Sequence, residues 1–171
     1  VTLAGGVVAT NGDGSPADGT ATEAPLRRGN WGRDYTIWVA NVQANTKISD
    51  FPLRLGFDFF TNSEDYSAAD LVGFSAADDV DDDDTEGFVV SLLLGSKKKQ
   101  GDWQLGYYYA DIETFAVNAS YAQDDWMRWG SATQTDASDF HGHEFRAVYV
   151  PWKNWNLVAR LYTVDSNNNT Q

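Results

Sequence analysis

Alternation with a period of two constrains this chain more than any other feature. After the turn KKKQGD, Trp103, Leu105, Tyr107 and Tyr109 share one parity, while Gln104, Gly106 and Tyr108 share the other. Successive strand side chains point to opposite faces, so this segment has one aromatic, greasy face and one more polar face. Phe88, Val90, Leu92 and Leu94 repeat the apolar face ahead of the turn. The two runs read as a hairpin with a tight turn at Lys97–Gly101. Elsewhere Leu53, Leu55, Phe57 and Phe59 oppose Arg54, Gly56 and Asp58. Phe145, Ala147 and Tyr149 oppose Glu144 and Arg146. Trp155, Leu157, Ala159 and Leu161 alternate with Asn156, Val158, Arg160 and Tyr162.

The connections add a second regularity. Val1–Thr10 reads as a strand, and residues 11–33 as a long loop of turn-forming Gly, Pro, Asp and Ser. A strand over Asp34–Thr46 alternates imperfectly: Tyr35, Ile37 and Val39 lie on one parity, Trp38, Ala40 and Val42 on the other. A bulge that switches the faces would explain this. A short turn at Lys47–Pro52 follows, then a long acidic loop over 62–86 and a short turn at Lys97–Asp102. The third long connection, 114–139, has room for a short helix or for extensions of the neighbouring strands. A short turn at Pro151–Asn154 comes last. Long and short connections therefore alternate, and the charged residues within the clearest strands (Arg54, Asp58, Glu144, Arg146 and Arg160) all lie opposite the apolar face.

An antiparallel up-and-down transmembrane β-barrel requires both regularities, with short periplasmic turns, long extracellular loops, and lipid-facing residues alternating with interior ones. A basic residue on the lipid side near the midplane would cost roughly 2–4 kcal/mol, and the observed segregation avoids that cost. Strands of about 9–11 residues match a tilted bilayer crossing. A soluble antiparallel sandwich also alternates, but it would turn the charged face to water and needs no consistent loop asymmetry.

Composition sets the remaining bounds. The 171 residues suit one domain, and the lack of cysteine excludes disulfides and thiol chemistry. A net charge of -13 argues against nucleic acid as a partner, since phosphates would be repelled. No apolar run approaches the ~20 residues of a spanning helix, a test to which a barrel is blind. Val1 opens inside a Gly/Ala/Val-rich run without a basic flank, so the expectation is a cleaved leader or a fragment. Seven strand candidates, against the even numbers of bacterial barrels, also point to a fragment of a larger barrel.

The segment GDWQLGYYYADIETFAV, followed after a loop by FHGHEFRAVYVPWKNWNLVARLYTVDSNN, resembles a porin family of Gram-negative outer membranes. PLRLGFDFFTN is similar to the strand of that family that ends in an Asn near a loop. The likeness covers roughly residues 52 to 165 and is densest from 86 onward. It departs at Ala110, where the family pattern has a basic residue, and at Phe115, where it has an acidic one. The resemblance implies a barrel of well over ten strands in the bacterial outer membrane. It also implies passive transport of small hydrophilic solutes or ions and no cofactor. Many porins are trimers, so a homo-oligomer is compatible with it.

Candidate site residues divide into two sets. Arg54, Asp58, Gln104, Tyr108, Glu144, Arg146, Asn156 and Arg160 are expected to line a pore, or in a narrow barrel to pair and plug it. The acidic stretch Asp78, Asp79, Asp81, Asp82, Asp83 and Asp84 lacks EF-hand spacing, and reads as a solvated loop that draws cations toward a pore mouth. His141 and His143 share a face but have no evident third metal ligand. Asp111, Glu113, Asp124 and Asp125 contain no spacing that singles out a catalytic pair, and no nucleophile constellation indicates an enzyme. The Lys97–Lys99 cluster either solubilises its turn or meets anionic headgroups.

The expected function is thus a cation-biased outer-membrane porin embedded in the lipid bilayer. Two other readings remain open. One is an eight-stranded membrane anchor or adhesion scaffold. The other is a soluble sandwich that binds carbohydrate through Tyr121, Trp126 and Trp129.

Overall fold

The computed structural model describes residues 1–10, 33–68, 70–71, 80–118, 126 and 138–168. All regular structure among these residues is strand: β1 (Thr2–Thr10), β2 (Tyr35–Ile48), β3 (Phe51–Asn62), β4 (Glu86–Gly95), β5 (Trp103–Ile112), β6 (Phe140–Tyr149) and β7 (Leu157–Ser166). They form one seven-stranded sheet in chain order, each strand antiparallel to the next. The sheet is not closed: β1 and β7 are its edges. Short turns gather at one end and long connections at the other, because a meander reverses direction at every strand.

Register is continuous across all six pairings. In β2 and β3 it runs from Ile37 opposite Asn62 to Ile48 opposite Phe51 without a slip. The bulge expected in β2 is therefore not there. Tyr35, Ile37 and Val39 all lie on the charged face of the sheet, and the parity is apolar because that part of the face is covered. Tyr35, Ile37, Phe60 and Ala116 form a buried cluster, with Val39, Val89, Ile112 and Val117 packed against it. Ala116 and Val117 belong to the connection after β5. These two residues lie over the sheet and give β2 apolar surroundings on its charged face as well.

The turns follow local chemistry. Ser49 and Asp50 join β2 to β3, with Ser49 in the left-handed region at φ 54°. Gly95 ends β4 at φ 95°, where a Cβ would sit 2.3 Å from the Trp103 carbonyl oxygen. Only glycine fits such a conformation and approach. Between β6 and β7, the Trp155 amide donates to the Trp152 carbonyl at 3.1 Å, and Asn154 takes φ 67°. This closed turn delays β7 to Leu157, so Trp155 and Asn156 precede the strand rather than opening it.

Gly87 supplies a test of packing on the covered face. A Cβ on Gly87 would lie 2.3 Å from Cε2 of the buried Phe60 ring, whereas one on Gly6 would meet nothing within 4 Å. Gly87→Ala should destabilise the fold by roughly 1–3 kcal/mol in denaturant unfolding, the usual cost of overpacking. Gly6→Ala should stay within about 0.5 kcal/mol of the parent. Equal effects of the two substitutions would contradict this placement of Phe60.

Candidate functional site

The apolar face carries no charge along its middle. Reading across the strands, it presents Leu3 and Val7, then Trp38 and Val42, Leu55 and Phe57, and Val90 and Leu92. Leu105, Phe145, Leu157 and Leu161 continue it. These side chains are exposed: Leu55 and Phe57 are each 42% accessible and Leu161 63%. Soluble proteins rarely leave a patch of this extent open. Shallow grooves of about 600 and 480 Å³ run beside the cross-strand pair Ala147 and Ala159 on this face.

Aromatic rings border both ends of the apolar band. Phe51 and Trp103 meet at 5.0 Å near the short turns. Toward the long connections, Phe88 approaches Phe57 at 6.1 Å and Tyr109 at 5.8 Å. Here Tyr107 bonds the His143 Nδ1 at 2.9 Å and stacks on its ring. Beyond this rim the same face turns polar. His141 bonds Asn167 at 2.6 Å, and the Asn167 amide donates to Asp111 at 3.1 Å. The two histidines share a face as expected, each taken up by neighbours. Among the described residues no His/Cys/Asp/Glu group is arranged to hold a metal.

Register places three arginines of the opposite face in one row. Arg54 faces Leu93, Leu93 faces Gly106, Gly106 faces Arg146, and Arg146 faces Arg160. In the adjacent row Ser91, Tyr108, Glu144 and Tyr162 stand side by side. Glu144 is only 1% exposed, and a carboxylate that deeply buried needs charged partners. Arg146 Nε donates to its Oε1 at 2.6 Å, and Arg160 Nε lies 3.9 Å from the same oxygen. The Arg146 guanidinium also sits 4.9 Å from the Tyr108 ring centroid. Gly106 leaves room for this arrangement, since a Cβ there would crowd Leu93 and Tyr108. On β3, Asp58 accepts from the Asn41 amide, and Arg54 donates to Asn45 at 3.4 Å. Gln104 lies one row nearer the short turns, opposite Val148. Asn156 is exposed in the turn before β7, outside the ladder. The structure thus brings Tyr108, Glu144, Arg146 and Arg160 together and leaves Asn156 apart.

Asn62 holds the long-connection end of this face together. Its side-chain oxygen accepts from the Thr36 amide at 3.0 Å, and its NH2 donates to Tyr66 at 2.7 Å and to the Phe115 carbonyl at 3.0 Å. The Arg33 guanidinium lies 5.1 Å from the Phe115 ring centroid and donates to the Asp70 carbonyl. Trp126 reaches the same side and packs 5.9 Å from both Phe140 and Tyr162. It is therefore engaged with the sheet. Trp129, Tyr121, Asp124 and Asp125 lie outside the described residues, as do Asp78 and Asp79. Sequence reasoning reached Asn62 only as the end of a strand. Its hub role depends on a carbonyl 53 positions away, which no local pattern signals.

Within the acidic stretch, Asp84 is anchored. It accepts from the Asp81 amide at 3.1 Å and from Asn168 at 3.1 Å, and its carbonyl receives the Phe115 amide at 2.7 Å. Burial nevertheless pushes its carboxyl above the ordinary value, outweighing those hydrogen bonds, and burial raises Glu113 as well. The folded loop then binds protons more tightly than the open one. The stabilisation is fully present below the ordinary carboxylate range and is lost as pH rises through the folded values. Hydrogen exchange at the Phe115 amide, corrected for intrinsic rate, should show more protection at about pH 4 than at about pH 7. Asp84→Asn should flatten that difference, and protection that grows with pH would contradict it.

The fold and its two faces define a class: an all-β chain built on one antiparallel up-and-down sheet, apolar on one side and charged and partly loop-covered on the other. No family model, curated protein or solved structure matches the chain.

Proposed function

We propose that this sheet is part of the wall of an outer-membrane β-barrel porin that passes small hydrophilic solutes by diffusion. The observation that carries the reading is which side holds the buried cluster. A soluble sandwich buries its apolar face and shows its charges to water. Here the cluster of Tyr35, Ile37, Phe60 and Ala116 lies on the side of Arg54 and Glu144, while the opposite side, apolar along its middle, is exposed. A hydrocarbon solvent outside and water inside fit that inversion.

The dimensions agree with this reading. From Phe51 to Thr61, β3 covers roughly 33 Å at about 3.3 Å per residue. With a tilt of roughly 40° this becomes about 25 Å of membrane height, the size of an outer apolar band. Closing the cylinder would pair the β1 and β7 edges, as hydrocarbon demands of every backbone polar group.

In this wall the acidic long connections attract cations at the mouth, and the row of Arg54, Arg146 and Arg160 offsets that bias inside. Glu144 is neutralised by its arginine partners, so the local balance at the row is positive. Planar-bilayer recordings on the full-length protein should show a cation-preferring conductance. In the double variant Arg54→Gln/Arg160→Gln, the reversal potential should move further toward cation selectivity. No channel activity, or a clear preference for anions, would overturn the reading.

A further inference from the structure

We propose that the short-turn end of the sheet is a docking surface for anionic phospholipid headgroups in the leaflet that it meets. The inference rests on the membrane reading and adds a partner to it. The whole chain contains five lysines: Lys47, Lys97, Lys98, Lys99 and Lys153. Every one lies at this end, in or beside a short turn, and every one is exposed. None of them is ion-paired among the described residues.

The acidic residues at this end are Asp50 and Asp102. Asp102 is committed to the turn itself, where its carboxylate accepts the Lys98 and Lys99 amides at 3.0 and 3.2 Å. That contact fixes the backbone from which the lysine side chains project. Two of the turns are also joined. The Gly101 amide donates to the Val150 carbonyl at 2.8 Å, and the Val150 amide donates to the Asp102 carbonyl at 3.0 Å. Lys97–Lys99 and Lys153 therefore belong to one connected rim rather than to separate loops.

Position identifies the partner. Trp152 and Trp155 flank Lys153, are 61% and 63% exposed, and meet edge to face at 6.3 Å. Directly inward along the strands come Phe51, Trp103 and Tyr149, then the apolar band. Tryptophan and tyrosine settle at the headgroup level, with an apolar body toward the chains and an N–H or O–H toward water. Ammonium groups just outside that level stand at the height of lipid phosphates. The opposite end carries Asp81–Asp84, Glu86, Asp111, Glu113, Asp139 and Asp165, which would repel the same headgroups. Among the described residues the lysines thus stand at one end of the sheet and these carboxylates at the other, so the attraction favours the leaflet at the short turns.

The test inserts the full-length protein into vesicles of phosphatidylcholine alone and of phosphatidylcholine with phosphatidylglycerol. Relative lipid association is read from tryptophan quenching by brominated phosphatidylglycerol against brominated phosphatidylcholine. Phosphatidylglycerol should be enriched at the protein, and the enrichment should fall as salt screens the charges. The quadruple variant Lys97→Gln/Lys98→Gln/Lys99→Gln/Lys153→Gln should lower it by at least about fivefold. The matching Lys→Arg variant should keep it, which separates charge from turn shape. A protein that inserts in both vesicles with no phosphatidylglycerol preference, or with one that the Gln variant leaves unchanged, overturns the inference and leaves the membrane reading standing. A protein that inserts in neither overturns both.

Discussion

Every second side chain along these strands joins one face that is apolar along its middle, and six consecutive ladders hold that arrangement without a slip. A shift of one residue in any pairing would move a whole apolar set to the other face. It would put Arg54 or Arg146 beside Leu92 and Phe145, in the middle of a face that otherwise carries no charge. Register is therefore the constraint on which the rest of the structure depends. The short turns protect it: the two-residue link at Ser49–Asp50 and the Asp102-capped turn leave little freedom for sliding.

The charged face meets its own constraint differently. A sheet alone cannot bury Glu144, and a buried carboxylate costs several kcal/mol unless it is paired. Arg146 and Arg160 supply the pairing, and Tyr108 supplies a π-surface that holds Arg146 in place. Gly106 makes the room. Toward the long connections the same face becomes apolar and is roofed by the segment after β5, which Asn62 ties to β2 and β3. A polar middle and a roofed end on one surface leave the charged face of the sheet neither bare nor fully covered.

Much of this was legible in the sequence. Alternation at Leu53–Phe59 and Trp103–Tyr109 identified both strands and their faces, because backbone geometry alone fixes a period of two. The order of long and short connections gave the meander. In β2 the pattern misled, since Trp38 and Val42 belong to the exposed apolar face while Ile37 and Val39 meet the roof, and both are apolar for different reasons. Ala110 and Phe115 stood out as departures from the porin pattern. They are 2% and 1% exposed, at places where a charged side chain would need a buried partner. The hub at Asn62 and the seat of Trp126 arise from contacts between distant segments. No spacing rule carries that information.

The central claim is that the face of Leu55 and Leu92 meets hydrocarbon while the face of Arg54 and Tyr108 meets water. Spin labels placed singly at Leu55, Leu92, Arg54 and Tyr108 in the bilayer-inserted, full-length protein test it most directly. The account predicts that the first two are relaxed preferentially by oxygen dissolved in the bilayer. The other two should be relaxed by a water-soluble nickel chelate. Equal access of both reagents to all four positions, or the reverse assignment of the two faces, would contradict it.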